Sequence, residues 1–395
     1  MSSGRINSID IMRGLTLLLM LFVNDLNMKV APTWLGHMPA DFDGMGLADW
    51  VFPGFLFIAG TAIPFSFSNR ISKGMTSRDL VRHIIIRSIS LIIIGVLMLN
   101  TGRVNAELTG IGQNLWALLM YVGVFLVWNN YRNHNQHFFT VNGFRLAGIA
   151  LLVFLVFKFK SGEPENEGSL ITGWWGILGL IGWGYLVSAL IYHAFRDSIP
   201  STVTAVIFFL TLNILNGLNL LPFLDTARPI FGVIIEGNVP FLVLSGMLAG
   251  ILIKKWTINE YRFIILSFVI LGIIFLLSGL ALRKWFIISK IKATPSWGLI
   301  CSGISYLVFA LLFWIADIKK KTGWASFFRP AGENSLTTYL APDILYYAIW
   351  MAGVPVLIYK QSTEPLVVVA GSMVWAILMV WLTALLKRIG ISLKL

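Results

Sequence analysis

Charge is what this sequence has least of. Only 12% of its 395 residues are Asp, Glu, Lys or Arg, against 57% hydrophobic residues and a mean hydropathy of +0.80. A soluble domain carries about twice that share of charge, so lipid takes the place of water as the main solvent. Cysteine is nearly absent. Cys301 stands alone, which excludes a disulfide framework and a cysteine-based metal site, and its apolar surroundings read as a small buried hydrophobe. No basic stripe interleaved with aromatics occurs. The net charge of +12 therefore reads as the Lys and Arg excess of a membrane protein's cytoplasmic side, not as a nucleic-acid footprint. Heptads, low-complexity tracts and two related halves are also missing, so nothing points to a transporter built by duplication. No small-residue cleavage pattern follows the first apolar run, which reads as a retained helix.

What is present is a series of apolar runs matched to about 30 Å of hydrocarbon. They fall at 11–27, 48–69, 84–100, 113–128, 144–158, 173–195, 201–221, 238–253, 262–281, 297–316, 334–358 and 366–386. The expected fold is all-α: a polytopic transmembrane helix bundle of about 12 spans, with 1–395 forming one transmembrane domain. Placing the N-terminus inside puts 20 of the 30 basic residues on inner segments, which favours both termini in the cytoplasm. Four of the remainder, Arg283, Lys284, Lys290 and Lys292, crowd one outer loop. Of the five histidines, His83, His134, His137 and His193 fall on the inner side and His37 alone on the outer. The polar stretches 158–169 and 132–137 read as solvated connectors.

The stretch "NDLNMKVAPTWLGHMPADFDGMGLADW", Asn24 to Trp50, interrupts this pattern on the outer side. It gathers Asp25, Asp41, Asp43, Asp49 and His37 between two strongly apolar runs. Pro32, Gly36, Pro39, Gly44 and Gly46 turn it, while Trp34, Leu35, Met38, Phe42 and Met45 make it too apolar for a floppy connector. A packed or re-entrant plug is the expectation. An imidazole with a carboxylate to orient it can take a proton from an amine or hydroxyl; the bland alternative is a histidine that hydrogen-bonds within its loop. Asn24 could simply end the first helix as a cap. Asp49 could simply cap the second, since a helix N-terminus favours a carboxylate. Asp10 and Arg13, three apart, suit an intrahelical ion pair. Pro53, Gly54, Gly60 and Pro64 are expected to interrupt the second helix beside a cavity. A lone His among scattered carboxylates is weak evidence for a metal.

These residues resemble a known family. "SIDIMRGLTLLLMLFVN" followed by "GH…DG…ADWVFPGFLFIAG" is similar to the transmembrane acyltransferases related to heparan-alpha-glucosaminide N-acetyltransferase, particularly their shorter bacterial relatives. The shared positions are Ser8, Asp10, Arg13, Gly14, Asn24, His37, Ala48, Asp49, Val51, Phe52 and Pro53. "GNVPFLVLSGMLAGILIKK", "ATPSWGLICSGISYLVFALLFWIAD" and "RPAGENSLTTYLAP" are looser matches, with Asn334 and Ser335 in an Asn-Ser position. Departures also occur. Gly179 and Leu180 stand where the family has Gln and Arg, and Pro342 stands where some relatives have a second His. The loop around His37 is two residues longer, with Asp41, Phe42 and Asp43 in place of Pro, Trp and Asn. The pair of runs at about 113–158 is extra to a ten-helix core.

The resemblance implies an acyltransferase of a bacterial inner membrane that moves an acetyl group from cytosolic acetyl-CoA to an amino sugar or glycan outside. His37 would be the general base or acyl carrier, with Asp49 orienting it and Asn24 polarising the thioester carbonyl. Asp25, Asp41, Asp43, Trp34 and Asn334 are the candidates for the acceptor, a glucosamine-type sugar or oligosaccharide. Arg70, Lys73, Arg78, Arg82, Arg87, Lys254 and Lys255 are the candidates for the CoA phosphates, although any of them could serve topology alone. No metal and no nucleic acid are expected; a homodimer is left open. The rival reading is a transporter of a glycan fragment or lipid-linked precursor, because intramembrane polar groups and broken helices serve both.

Overall fold

The structure is a computed structural model that describes residues 6–131, 138–163, 165–256, 260–355 and 357–395. Arg5, Arg132, His134 and His137 lie outside the described residues. Each of the twelve apolar runs forms a helix. In chain order the helices are α1 (Asn7–Asp25), α2 (Leu47–Ser72), α3 (Ser77–Asn100), a single turn α4 (Ala106–Thr109), α5 (Gln113–Trp128), α6 (Phe138–Lys158), α7 (Gly176–Phe195) and α8 (Ile199–Gly217). They continue with α9 (Arg228–Glu236), α10 (Asn238–Lys255), α11 (Tyr261–Leu282), α12 (Pro295–Phe313), a short α13 (Arg329–Glu333), α14 (Ser335–Ala352) and α15 (Pro365–Arg388). Among the described residues, ten helical segments are long and apolar enough to cross a membrane. Helix α5 is apolar but only 16 residues long, and α14, which carries Thr337, Thr338 and Asp343, falls outside that set. The polar connector after α6 is an antiparallel hairpin of β1 (Ser161–Glu163) and β2 (Asn166–Gly168), closed by a 2.6 Å Lys160–Glu167 ion pair.

The helix boundaries differ from the apolar runs where distant groups supply caps. Helix α1 begins four residues before its apolar run because the Asp317 carboxylate, buried at the end of α12, accepts from the Asn7 and Ser8 N–H groups at 2.8 and 3.0 Å. Two of the four orphan donors of that helix start are satisfied in this way. Asp10 and Arg13 form the expected i, i+3 pair at 3.6 Å. The Arg13 guanidinium also reaches the Gly332 carbonyl.

Helix α2 corrects a sequence expectation. Pro53, Gly54, Gly60 and Pro64 do not break it; it is continuous over Leu47–Ser72. Its glycines serve close packing instead. A Cβ on Gly60 would lie 1.9 Å from the Val243 carbonyl oxygen of α10, and one on Gly246 would lie 1.8 Å from that of Phe57. Small residues let membrane helices meet backbone to backbone, and these two do. The α3–α7 pair is built likewise: a Cβ on Gly95 would lie 2.3 Å from the Gly179 nitrogen. That contact calls for the glycine at 95; a Cβ at 179 would instead lie 2.8 Å from the Trp175 Cβ at the start of its own helix.

One core cluster draws residues from α1, α2, α3, α5, α7, α10, α12 and α15. Both chain ends lie at the same end of the bundle. The α1 start meets Asp317, while Ser392 and Leu393 bond to Asn334 and Thr337 at the start of α14. The opposite end collects the end of α1 and the starts of α2, α10 and α12, together with the 26–46 and 283–294 loops.

Candidate functional site

The 26–46 loop is packed, as expected. A 3₁₀ turn at Thr33–Leu35 buries Leu35 and Ala31, whereas Trp34 and Phe42 are 64% and 50% exposed. The loop is fastened to the 283–294 loop by two ion pairs, Asp43–Arg283 at 2.8 Å and Asp41–Lys292 at 2.6 Å. The Ser289 hydroxyl also donates to the Ala40 carbonyl. The Lys292 hydrogen bond and charge lower the pKa of Asp41. For Asp43 the Ile288 N–H acts first and Arg283 second, in the same direction. Both carboxylates are thus engaged in joining the two loops, which accounts for two of the four basic residues crowded into 283–294, Arg283 and Lys292.

At the start of α2, the Asp49 carboxylate is 1% exposed and fully used. One oxygen accepts from the Gly46 and Met38 N–H groups at 3.0 and 3.1 Å, which caps the helix. The other lies 2.8 Å from His37 Nδ1. A carboxylate at Nδ1 holds the proton there and leaves the lone pair on Nε2. The His37 side chain is 45% exposed, so the ring is open to solvent on one side. Beneath it, the Asp49 carbonyl accepts from the Trp297 indole at 3.1 Å, which fixes α2 against α12. Asp49 therefore both caps the helix and orients the ring.

A residue not foreseen from the sequence completes this group. Lys290 Nζ lies 3.1 Å from His37 Nδ1 and 3.5 Å from Nε2. Burial pushes the Lys290 pKa down, and the Asp49 charge pulls it back up. The signal in the sequence was the crowding of lysines in the 283–294 loop, but pairing residues 253 apart needs the fold.

Asn24 is elsewhere at the same end. It makes no hydrogen bond to His37 or Asp49 and is not buried as a helix cap. It lines a cavity of about 240 Å³ with Tyr339, Asp343, Tyr346, Trp350, Lys360 and Trp375. Beside it, Asp25 is buried and pairs with Lys360 at 2.7 Å. It also accepts from the Tyr346 and Tyr359 hydroxyls. Asn334 lies at the other end of the bundle, where its side-chain oxygen accepts from Ser392. The structure thus joins His37 to Asp49, joins Asn24 to the α14–α15 cavity, sets Asn334 apart from both, and leaves the Trp34 side chain exposed on the loop.

The basic residues expected on the inner side also divide. Lys73, Arg78 and Arg82 are exposed. Lys254 is held by Asp197 at 2.6 Å and by the Tyr192 hydroxyl, and Lys255 lies over Trp256. Arg70 and Arg87 are half-buried and face His83, with Lys394 close enough for its charge to act on the same imidazole. Arg87 sits 4.6 Å above the Tyr185 ring. Its Nε and the His83 Nε2 are buried without hydrogen-bond partners. Neither Arg70 nor Arg87 has an ion pair among the described residues.

With that geometry in place, comparison with known proteins narrows the chemistry. Residues 5–172 match a family model described as a domain of unknown function, DUF5009. The chain is 38% identical over 123 residues to the heparan-alpha-glucosaminide N-acetyltransferase of Mus musculus, which is 31% of this chain and 18% of that protein. The Homo sapiens counterpart gives 38% over 120 residues, or 30% and 18%. The match spans less than a fifth of the length of these curated relatives. The resemblance to this acyltransferase family is therefore borne out over about 30% of the chain.

Proposed function

We propose that this chain, acting as a single transmembrane domain of a bacterial inner membrane, transfers an acetyl group from cytosolic acetyl-CoA to an amino-sugar or glycan acceptor on the far side. The observation that carries the reading is the His37–Asp49 pair. A buried, doubly N–H-bonded carboxylate holds a partly exposed imidazole by its Nδ1, which is the arrangement of an oriented general base. An amino sugar is no nucleophile while protonated, so Nε2 takes the proton as the nitrogen attacks the thioester carbonyl, and the CoA thiolate leaves. Lys290 places a positive charge beside the reacting atoms, where the oxyanion of acyl transfer develops.

The donor's phosphates are assigned to the cluster of Arg70, His83, Arg87 and Lys394. Half-buried guanidinium groups without carboxylate partners call for an anion to offset them, and a diphosphate supplies one. Asp49 and Arg70 are 21 residues apart on α2, about 32 Å along a helix. Arg87, ten residues into α3, carries positive charge about 15 Å into the bundle, which shortens the distance the acyl arm must cover.

The test is CoA release from acetyl-CoA by purified protein, with and without glucosamine or its oligomers. Acceptor-dependent release that falls about 10²–10⁴-fold in His37→Ala, with acetyl-CoA still bound, is expected. Sugar movement without CoA release in liposomes would make the protein a transporter. Turnover of the His37→Ala protein near the wild-type rate would return the loop to a purely structural role.

A further inference from the structure

The two helices extra to the ten-helix pattern, α5 and α6, leave a groove of about 440 Å³ where they meet α14 and α15. Phe125 and Leu126 of α5 form one wall, Ile344 and Leu345 of α14 with Leu382 of α15 the other, and Phe144 of α6 its edge. The sequence makes these walls apolar. Helices α5, α6 and α15 contain no acidic residue, and the one in α14, Asp343, accepts from the Tyr121 hydroxyl.

The polar groups of the groove gather at one end only, the end of the bundle that carries both chain ends. There the chain after α15 crosses to α5. The Asn130 N–H donates to the Ser392 carbonyl at 2.8 Å and the Lys394 N–H to the Trp128 carbonyl at 2.9 Å. Asn129 Oδ1 accepts from the Ser392 N–H, and the Asn129 amide nitrogen is left without a partner among the described residues. Tyr131 stacks on Phe144 with ring centres 6.0 Å apart, and the Arg145 guanidinium lies 5.8 Å from the centre of the Tyr131 ring. Arg145 is exposed and has no ion pair among the described residues.

Depth and charge together name the occupant. Leu345 lies ten residues into α14, about 15 Å along the helix, which is half of a hydrocarbon layer about 30 Å thick. The groove is therefore one leaflet deep, apolar along its length and basic at its mouth. Basic pockets between membrane helices take the headgroups of anionic lipids. A second copy docking through α5 and α6 would bring Arg145 no counter-ion, since neither helix carries an acid.

We propose that this groove holds one acyl chain of an anionic phospholipid from the leaflet at that end, with the lipid phosphate on Arg145 and the Asn129 amide. The lipid fills the space between the α5–α6 pair and α14–α15 and joins the pair to the bundle. This role is independent of acyl transfer.

Phosphatidylglycerol and phosphatidylcholine of identical chains are titrated separately into the delipidated full chain in detergent, and the first lipid retained is followed by native mass spectrometry. Wild type is expected to hold phosphatidylglycerol about fivefold more tightly, the effect of one arginine beside an anionic headgroup. Arg145→Gln removes that preference and Arg145→Lys keeps it. Val122→Trp, at an exposed position on the groove wall, weakens both lipids together. Equal retention of the two lipids by wild type would overturn the proposal, even if Arg145→Gln fails to fold. So would a preference that persists in Arg145→Gln, or unaltered binding in Val122→Trp. A dimer that forms as phosphatidylglycerol is displaced would assign the groove to a second copy and overturn it as well.

Discussion

Asp49→Asn is the substitution that best separates orientation from scaffolding at His37. The carboxylate has two duties: one oxygen receives the Met38 and Gly46 N–H groups, and the other faces His37 Nδ1. Asparagine keeps an oxygen for the two backbone donors, so the loop and the helix start stay satisfied. The loss is that of a charge at a helix N-terminus, about 0.3–1 kcal/mol. The amide nitrogen must then face Nδ1, and as a donor it forces the proton onto Nε2. A histidine in that tautomer has no lone pair for the acceptor amine, and the comparable change in a serine-protease triad costs about 10⁴ in kcat. Alanine is the contrast: it strands two N–H groups at about 1–3 kcal/mol each and is expected to lower expression and Tm. The assay is CoA release followed with a chromogenic thiol reagent; Cys301 is fully buried, so the protein contributes no background. Asp49→Asn should keep the wild-type Tm within about 3 °C while turnover falls about 10²–10⁴-fold. A variant of unchanged Tm that retains a third or more of wild-type turnover would refute the orienting role.

Two further outcomes test the ends of the bundle. Trp34→Cys places a thiol on the exposed turn of the 26–46 loop, and a membrane-impermeant maleimide should label it in spheroplasts without lysis; labelling only after lysis reverses the orientation. At the donor end, Arg70→Gln and Arg87→Gln should each raise the KM for acetyl-CoA about tenfold. Lys73→Gln and Arg82→Gln, solvated in the structure, should stay within about twofold. Equal effects at all four positions would mean that their charge serves topology only.

The helices were legible because a span's apolar length is a local property, and every apolar run became one. Their caps were not. Asn7 and Ser8 gain theirs from Asp317, about 310 residues away, and no local pattern signals such a partner. Asp49 was legible as a cap and as a neighbour of His37, since both contacts lie within twelve residues. Lys290 and Asp343 were not, because a lysine in a basic loop and an aspartate in an apolar run look alike whether solvated or paired. Pro53 and Gly60 misled for a related reason. Both weaken a helix in isolation, but at Gly60 the neighbouring α10 backbone takes up the room that the missing side chain leaves.

That α2–α10 contact also constrains how the protein works. With carbonyls of one helix lying against glycines of the other at residues 57–61 and 243–250, no side chain stands between them to change rotamer and let them slide. The two helices form a single spar. Asp49 stands near one tip of that spar and Arg70 near the other, so the spacing between the proposed proton acceptor and the proposed phosphate anchor is set by the length of a helix. A carrier that exposes one site alternately to each face has to shear elements of this kind past each other. A protein built around a fixed spar instead leaves travel to its substrates, and peripheral helices such as α6 and α11, broadly exposed along their length, are the parts free to yield as they enter and leave.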